Sequence, residues 1–180
     1  VAAAFAMVMA AREAEEKPDR VALEYLGNAR ERLIHTRPTN TAMARRLQDS
    51  VVVAKQAREE GRSMEGALLD WIRELRDETY RSYAVRSRLG ASLIEDGDGI
   101  LTMCFAETAF ILAMAMAKQD GKNIRVFVPE TRPYLQGARL TAPSLHELDI
   151  SVEIITDNMP AFVMSQGKIH KYFTAADLIT

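Results

Sequence analysis

At 180 residues, 48% of them hydrophobic and 27% charged, the chain has the composition of an ordinary globular protein long enough to bury a sizeable core. Its net charge of −2 comes from interleaved Lys/Arg and Asp/Glu without a basic block, which argues against a nucleic-acid or anionic-membrane surface. A single cysteine cannot close an intramolecular disulfide, and none of His35, His146 and His170 stands near it at metal-ligand spacing. Neither a disulfide framework nor a metal site is expected, and a reducing, cytoplasmic setting is the default.

The chain opens on an Ala/Met-rich helix from Val1 to Glu16, closed by Pro18. Its apolar part, Val1 to Ala11, covers about half of the roughly 20 residues a membrane span needs, so it reads as a buried helix. A second helix runs from about Arg20 to Ile34 and stops before Pro38, whose ring forbids continuation. Thr39 is placed to cap a third helix, in which Met43, Leu47, Val51 and Ala54 share one face, and Gly61 ends it. Ser63 opens a long fourth helix with Leu68, Ile72, Leu75 and Thr79 at i, i+4, i+7 and i+11. Its arginines (Arg73, Arg76, Arg81, Arg86, Arg88) have Glu74, Asp77 and Glu78 among them and read as a solvated face rather than a binding stripe.

The pattern changes near Gly90. Strand Ile100 to Met103, helix Ala106 to Lys118, strand Ile124 to Val128, helix Ala142 to Leu148, strand Val152 to Thr156, helix Pro160 to Gln166 and strand His170 to Thr174 follow in turn. This alternation predicts an α/β fold class: an all-helical domain over residues 1–89, then a Rossmann-like parallel sheet covered by helices over 90–180. The chain starts without Met, in mid-pattern, and stops just after a strand pattern, so it is expected to be truncated at both ends.

In open parallel sheets ligands collect beyond the carboxyl ends of the strands. Three polar candidates are predicted to share that edge: Cys104 after the first strand, the charged Gly/Pro-containing loop Glu130 to Gly137 after the second, and Asp177 after the last. Cys104 is either a small buried hydrophobe or a thiol activated at a helix N-terminus. Asp177 is either a helix cap or a catalytic carboxylate. Arg37, beside Pro38, either binds phosphate bidentately or pairs with a helix C-terminus.

The run Glu-Thr-Arg-Pro-Tyr-Leu-Gln-Gly-Ala-Arg-Leu-Thr from Glu130 to Thr141, together with Ile155 to Met159 and Met164 to Ile169, closely resembles the methylthioribose-1-phosphate isomerase family. That family is related to ribose-1,5-bisphosphate isomerases and to regulatory subunits of the eukaryotic initiation-factor nucleotide exchange complex. The resemblance implies a homodimer that converts a 5-substituted ribose 1-phosphate to the ribulose 1-phosphate in methionine salvage, without cofactor or metal. It assigns catalytic roles to Cys104, in Thr102-Met103-Cys104, and to Asp177, in Ala175-Ala176-Asp177. It assigns substrate or phosphate contacts to Arg37, in Arg37-Pro38-Thr39, and to Gln136.

The alternatives it leaves are ribose-1,5-bisphosphate isomerisation and a non-catalytic sugar-phosphate or nucleotide-sensing regulatory subunit. Where the family continues its cysteine motif with Asn and small residues, this chain has Phe105-Ala106-Glu107, and Ala175 replaces a glycine. Glu107, near a helix N-terminus, is expected to oppose an anion there.

Overall fold

A computed structural model of the chain describes residues 2–175. Four helices come first: α1 (Ala2–Ala14), α2 (Asp19–Thr36), α3 (Thr41–Glu59) and α4 (Met64–Ser92). Strands and helices then alternate as β1 (Gly99–Leu101), α5 (Glu107–Gln119), β2 (Arg125–Pro129), α6 (Ala142–Glu147), β3 (Ser151–Ile155), α7 (Pro160–Ser165) and β4 (Lys171–Tyr172). A π-helical turn, Gly137–Thr141, leads into α6. Residues up to Thr79 form one compact unit and Tyr80–Ala175 another, so the division falls within α4, upstream of the change in composition at Gly90.

The first unit is packed around small side chains. Ala11, Ala14, Ala22 and Ala54 are fully buried with Met7, Leu26, Leu47, Met64 and Leu68. Alanines let the helix axes approach, while Met and Leu fill the space between them. The expected face of α3 is observed: Leu47 and Ala54 are buried, and Met43 and Val51 pack against them. Its cap, however, is Asn40 and not Thr39: the Asn40 side chain accepts from the Met43 N–H at 2.8 Å.

Two long-range contacts tie up helix ends in this unit. Arg58 donates to the carbonyls of Glu15 at 2.6 Å and Lys17 at 2.7 Å, closing the α1–α2 turn, and to Asp19 at 2.8 Å. The Glu15 carboxylate accepts from the N–H groups of Met64 and Glu65, at 3.1 and 3.2 Å, satisfying the start of α4. The arginines Arg73 and Arg76 are exposed and paired with Asp70 and Asp77, as a solvated face requires.

In the second unit all four strands are parallel, in the order β3-β2-β1-β4. Alternation along β2 divides the core. Val126 and Val128 face one side with Ile100, Phe110, Met114 and Leu145 of β1, α5 and α6, whereas Phe127 faces the other with Leu101, Ile155 and Val163 of α7. The central strand β1 is buried along its whole length, which is why its sequence is continuously apolar. The C-terminal part of α4 packs closely on α5. Ser87 reaches the Ala109 carbonyl at 3.0 Å, and a Cβ at Gly90 would lie 3.1 Å from that of Ala113.

Each strand and helix expected from periodicity is present, with ends displaced by a residue or two. Met103 was expected in β1 but lies outside it and is exposed, because the backbone leaves the strand path ahead of Cys104.

Candidate functional site

β1 ends at Leu101 and β2 at Pro129, so Cys104 and the loop from Glu130 leave the sheet at the same, carboxyl edge. Cys104 is partly buried, and its φ of 58° is in the left-handed region. That conformation costs a residue with a Cβ about 1–2 kcal/mol. Both backbone groups of Cys104 are held by threonine hydroxyls: its N–H donates to Thr131 Oγ1 at 3.1 Å, and its carbonyl accepts from Thr141 Oγ1 at 2.6 Å. At about 1 kcal/mol per hydrogen bond, the pair is enough to offset the strain.

The threonines are themselves fixed. Thr131, at φ 62°, donates its N–H to Asp157 Oδ1, and Arg132 donates its N–H to Asp157 Oδ2, both at 2.7 Å. Asp157 follows β3 as Thr131 follows β2, so its carboxylate links those two strand ends, and the Thr131 hydroxyl links them to the end of β1. Gly137 brings the start of the π-helical turn against the loop. A Cβ there would lie 1.9 Å from the Pro129 carbonyl oxygen and 3.1 Å from Thr131 Oγ1, an approach open only to glycine.

Gln136 immediately precedes that glycine, on the segment whose two flanks, Thr131 and Thr141, bind the Cys104 backbone. The structure thus brings Cys104 and the Gln136 segment together. Arg37 ends α2 in the first unit, exposed, with its backbone N–H on the Ile34 carbonyl. Asp177 lies outside the described residues.

The cysteine does not lie in the first turn of α5. The N-cap is Ala106 and the helix begins at Glu107, so Cys104 precedes the region in which the helix dipole acts. Glu107 is not a bare charge: Arg86 of α4 meets its carboxylate at 3.0 Å. Arg86 also stacks on the Tyr83 ring, 5.1 Å from its centroid. Burial first, and then the Glu107 carboxylate, push the Tyr83 phenol above the usual tyrosine range. The expected opposition of Glu107 to an anion is therefore offset by a neighbouring cation.

Sequence reasoning singled out the segments containing Thr131, Thr141 and Asp157 but none of these residues. The available signal was positional, since each polar residue lies just beyond a strand or inside the run that follows one. Thr102 also went unremarked beyond its place in the cysteine motif. It is fully buried, and its hydroxyl has no hydrogen-bond partner among the described residues. Among the described residues no group of three or more His, Cys, Asp or Glu is placed to hold a metal ion, and no helix is long and apolar enough to cross a membrane.

The chain is 34% identical to methylthioribose-1-phosphate isomerase 1 of Pseudothermotoga lettingae, over 98% of its own length and 53% of the relative's. It is also 34% identical to the 5-deoxyribose 1-phosphate isomerase of Clostridium botulinum, over 99% of its own length and 54% of that protein. It spans about half the length of these curated relatives. Among solved structures, the delta subunit of translation initiation factor eIF-2B from A. fulgidus superposes with a TM-score of 0.72 at 33% identity, covering 95% of this chain and 52% of that one. The sequence matches the initiation factor 2 subunit family over residues 1–180, and the chain belongs to that family.

Proposed function

We propose that the protein containing this chain is an aldose-ketose isomerase acting on a 5-substituted ribose 1-phosphate, of which 5-methylthioribose 1-phosphate and 5-deoxyribose 1-phosphate are the leading candidates. The observation that supports this reading most directly is Cys104, held in a left-handed turn at the carboxyl edge of a parallel sheet by two hydroxyls. Backbone strain of that kind persists where the surroundings over-determine it, and it gathers at reacting residues. The two relatives, both named as isomerases of ribose 1-phosphates, supply the substrate class.

A sugar with phosphate on C1 is locked as a ring. Its isomerisation requires a proton delivered to the ring oxygen, ring opening, and movement of hydrogen from C2 to C1. Cys104 and Asp177 are the pair of titratable groups we assign to these transfers. Gln136 and Arg37 are assigned to the sugar hydroxyls and phosphate, so that binding energy orients the carbons to be exchanged. The protein is proposed to act on this small molecule as a cytoplasmic homodimer, using side-chain acids and bases alone.

The complete protein is to be incubated separately with 5-methylthioribose 1-phosphate, 5-deoxyribose 1-phosphate and ribose 1,5-bisphosphate, and the ketose followed by NMR. The first two are expected to turn over in preference to the third. Cys104→Ser and Asp177→Asn are each expected to lower turnover by about 10²–10⁴-fold with the fold intact. Near-normal turnover in either variant would remove that residue from the mechanism.

The second reading is a non-catalytic sugar-phosphate or nucleotide-sensing subunit. It is favoured by Phe105-Ala106-Glu107, which departs from the isomerases' cysteine motif, and by the likeness to the initiation-factor delta subunit. Binding of all three sugars without ketose formation would establish it.

A further inference from the structure

Thr131 Oγ1 has one proton and two lone pairs, and the structure commits them in opposite directions. It donates to the Pro129 carbonyl at 3.1 Å and accepts from the Cys104 N–H at 3.1 Å. The hydroxyl cannot rotate without losing one of these bonds. Thr141 is fully buried inside a helical turn, where a threonine hydroxyl ordinarily bonds back to a carbonyl of its own helix. Here it reaches instead across to the Cys104 carbonyl, 37 residues earlier in the chain. The Asp157 carboxylate then holds the backbone of Thr131 through two N–H groups, so the left-handed conformations of Thr131 and Cys104 are fixed in series.

We propose that Thr131, Thr141 and Asp157 are positioning residues for Cys104: the two hydroxyls clamp its backbone from both sides so that the thiol is presented at one orientation, and Asp157 locks the Thr131 clamp in place. None of the three is assigned a contact with substrate; they act through Cys104. The inference rests on the reading of Cys104 as the reacting residue. Its physical content is that the thiol's reactivity depends on two hydroxyl groups and not on the bulk of the side chains that bear them.

The test uses the complete protein and two readouts. One is kcat and KM on 5-methylthioribose 1-phosphate. The other is the rate of Cys104 alkylation by iodoacetamide as a function of pH, located by peptide mapping, which needs no substrate. Thr131→Val and Thr141→Val keep the side-chain shape and remove the hydroxyl. Each is expected to lower kcat by about 10–100-fold with KM within about twofold, the signature of a misplaced reacting group. The alkylation rate is expected to change by at least about fivefold, because the exposure and surroundings of the thiol change with its backbone. Thr131→Ser and Thr141→Ser restore the hydroxyl and are expected to return both readouts to within about threefold of the starting protein. Asp157→Asn, at an exposed position where folding is least at risk, is expected to lower kcat by about 3–10-fold.

Folded valine variants with unchanged kcat and alkylation would overturn the proposal, and so would serine variants that fail to rescue. If either valine variant does not fold, the other valine variant and Asp157→Asn decide the matter, and unchanged kcat and alkylation in both would overturn the proposal. If the unaltered protein turns over none of the sugars, the isomerase reading fails by itself. The alkylation profiles then judge the positioning role on their own.

Discussion

The two edges of the parallel sheet differ in how they use backbone and space. At the amino edge a cleft of about 260 Å³ opens between Gly97, Asn123, Ser151 and His170. Pairing there is regular: Gly99 exchanges bonds with His170, its N–H reaching Nδ1 and its carbonyl accepting from the His170 N–H, both at 2.8 Å. The buried Asp98 carboxylate accepts from the Glu95 N–H at 2.9 Å and lies 3.6 Å from Lys171 Nζ. Positive φ at that edge falls on Gly97, which bears it without cost, and on Asp149 just ahead of β3, whose carboxylate pairs with Lys118.

At the carboxyl edge Cys104 and Thr131 both adopt left-handed backbone and are held there by side chains distant in sequence. A cleft opens at the amino edge, whereas at the carboxyl edge two strained strand-end loops are tied directly to each other by a hydrogen bond. On the proposed reading of Cys104, strain is a better guide to chemistry than the cleft, because a cleft forms wherever strand ends leave room, whereas a strained cysteine persists only if its neighbours are arranged to keep it so.

Each edge contains one glycine whose replacement should separate the two kinds of construction. A Cβ at Gly137 would lie 1.9 Å from the Pro129 carbonyl oxygen, and one at Gly99 would lie 1.8 Å from that of Lys168. Both Gly137→Ala and Gly99→Ala are expected to cost about 1–3 kcal/mol of stability, since backbone must move in each case. Only Gly137→Ala is also expected to lower the kcat of the folded protein more than about tenfold, because it displaces the loop that clamps Cys104. Denaturant titration and turnover, measured on the same two variants, check this. A larger catalytic loss in Gly99→Ala would reverse the assignment of the edges.

A smaller effect is expected at Thr102, two residues before the cysteine. Among the described residues its hydroxyl is buried without a partner, an arrangement that weakens the fold relative to a methyl group. Thr102→Val is expected to raise Tm by about 2–4 °C, the size of shift about 1 kcal/mol produces in a unit of about 150–250 residues. It is expected to lower kcat at the same time if the unmet hydroxyl serves the carboxyl-edge site. Thermal unfolding together with the ketose assay reads both quantities, and an unchanged Tm would show that the hydroxyl is already satisfied.

The smallest effect concerns Tyr83, whose phenol is pushed above the usual range by burial and then by Glu107. A raised folded-state value means that the neutral phenol's stabilisation is fully present below the ordinary value of about 10 and is lost as pH rises through the raised one. Glu107→Gln removes the charge and leaves the burial. The Tyr83 titration followed by ultraviolet absorbance is therefore expected to move down without reaching the ordinary value. A midpoint unmoved by the substitution would show that Glu107 does not act on the phenol, and hence that its charge is taken up wholly by Arg86.

Much of the fold was legible in the sequence because it depends on short-range periodicity. Leu47 and Ala54 announce the buried face of α3, and the continuously apolar run Val126 to Pro129 announces a strand covered on both faces. Cys104 and Gln136 were legible as candidates because strand ends and motif runs mark them. The capping residue of α3 was missed by one position, since Thr39 and Asn40 are both competent caps and only the turn geometry chooses between them.

What the tertiary structure alone decided are the bonds that make Cys104 distinctive. Thr131 and Thr141 lie 27 and 37 residues from it, and Arg86 lies 21 residues from Glu107. No periodicity links positions so far apart. They meet because the register of β1 against β2 sets which loop atoms stand opposite the cysteine, and because the packing of α4 on α5 brings a cation to Glu107. The sequence by itself determined that a lone cysteine would stand at the carboxyl edge of a parallel sheet. The long-range hydrogen bonds determined the conformation in which it stands there.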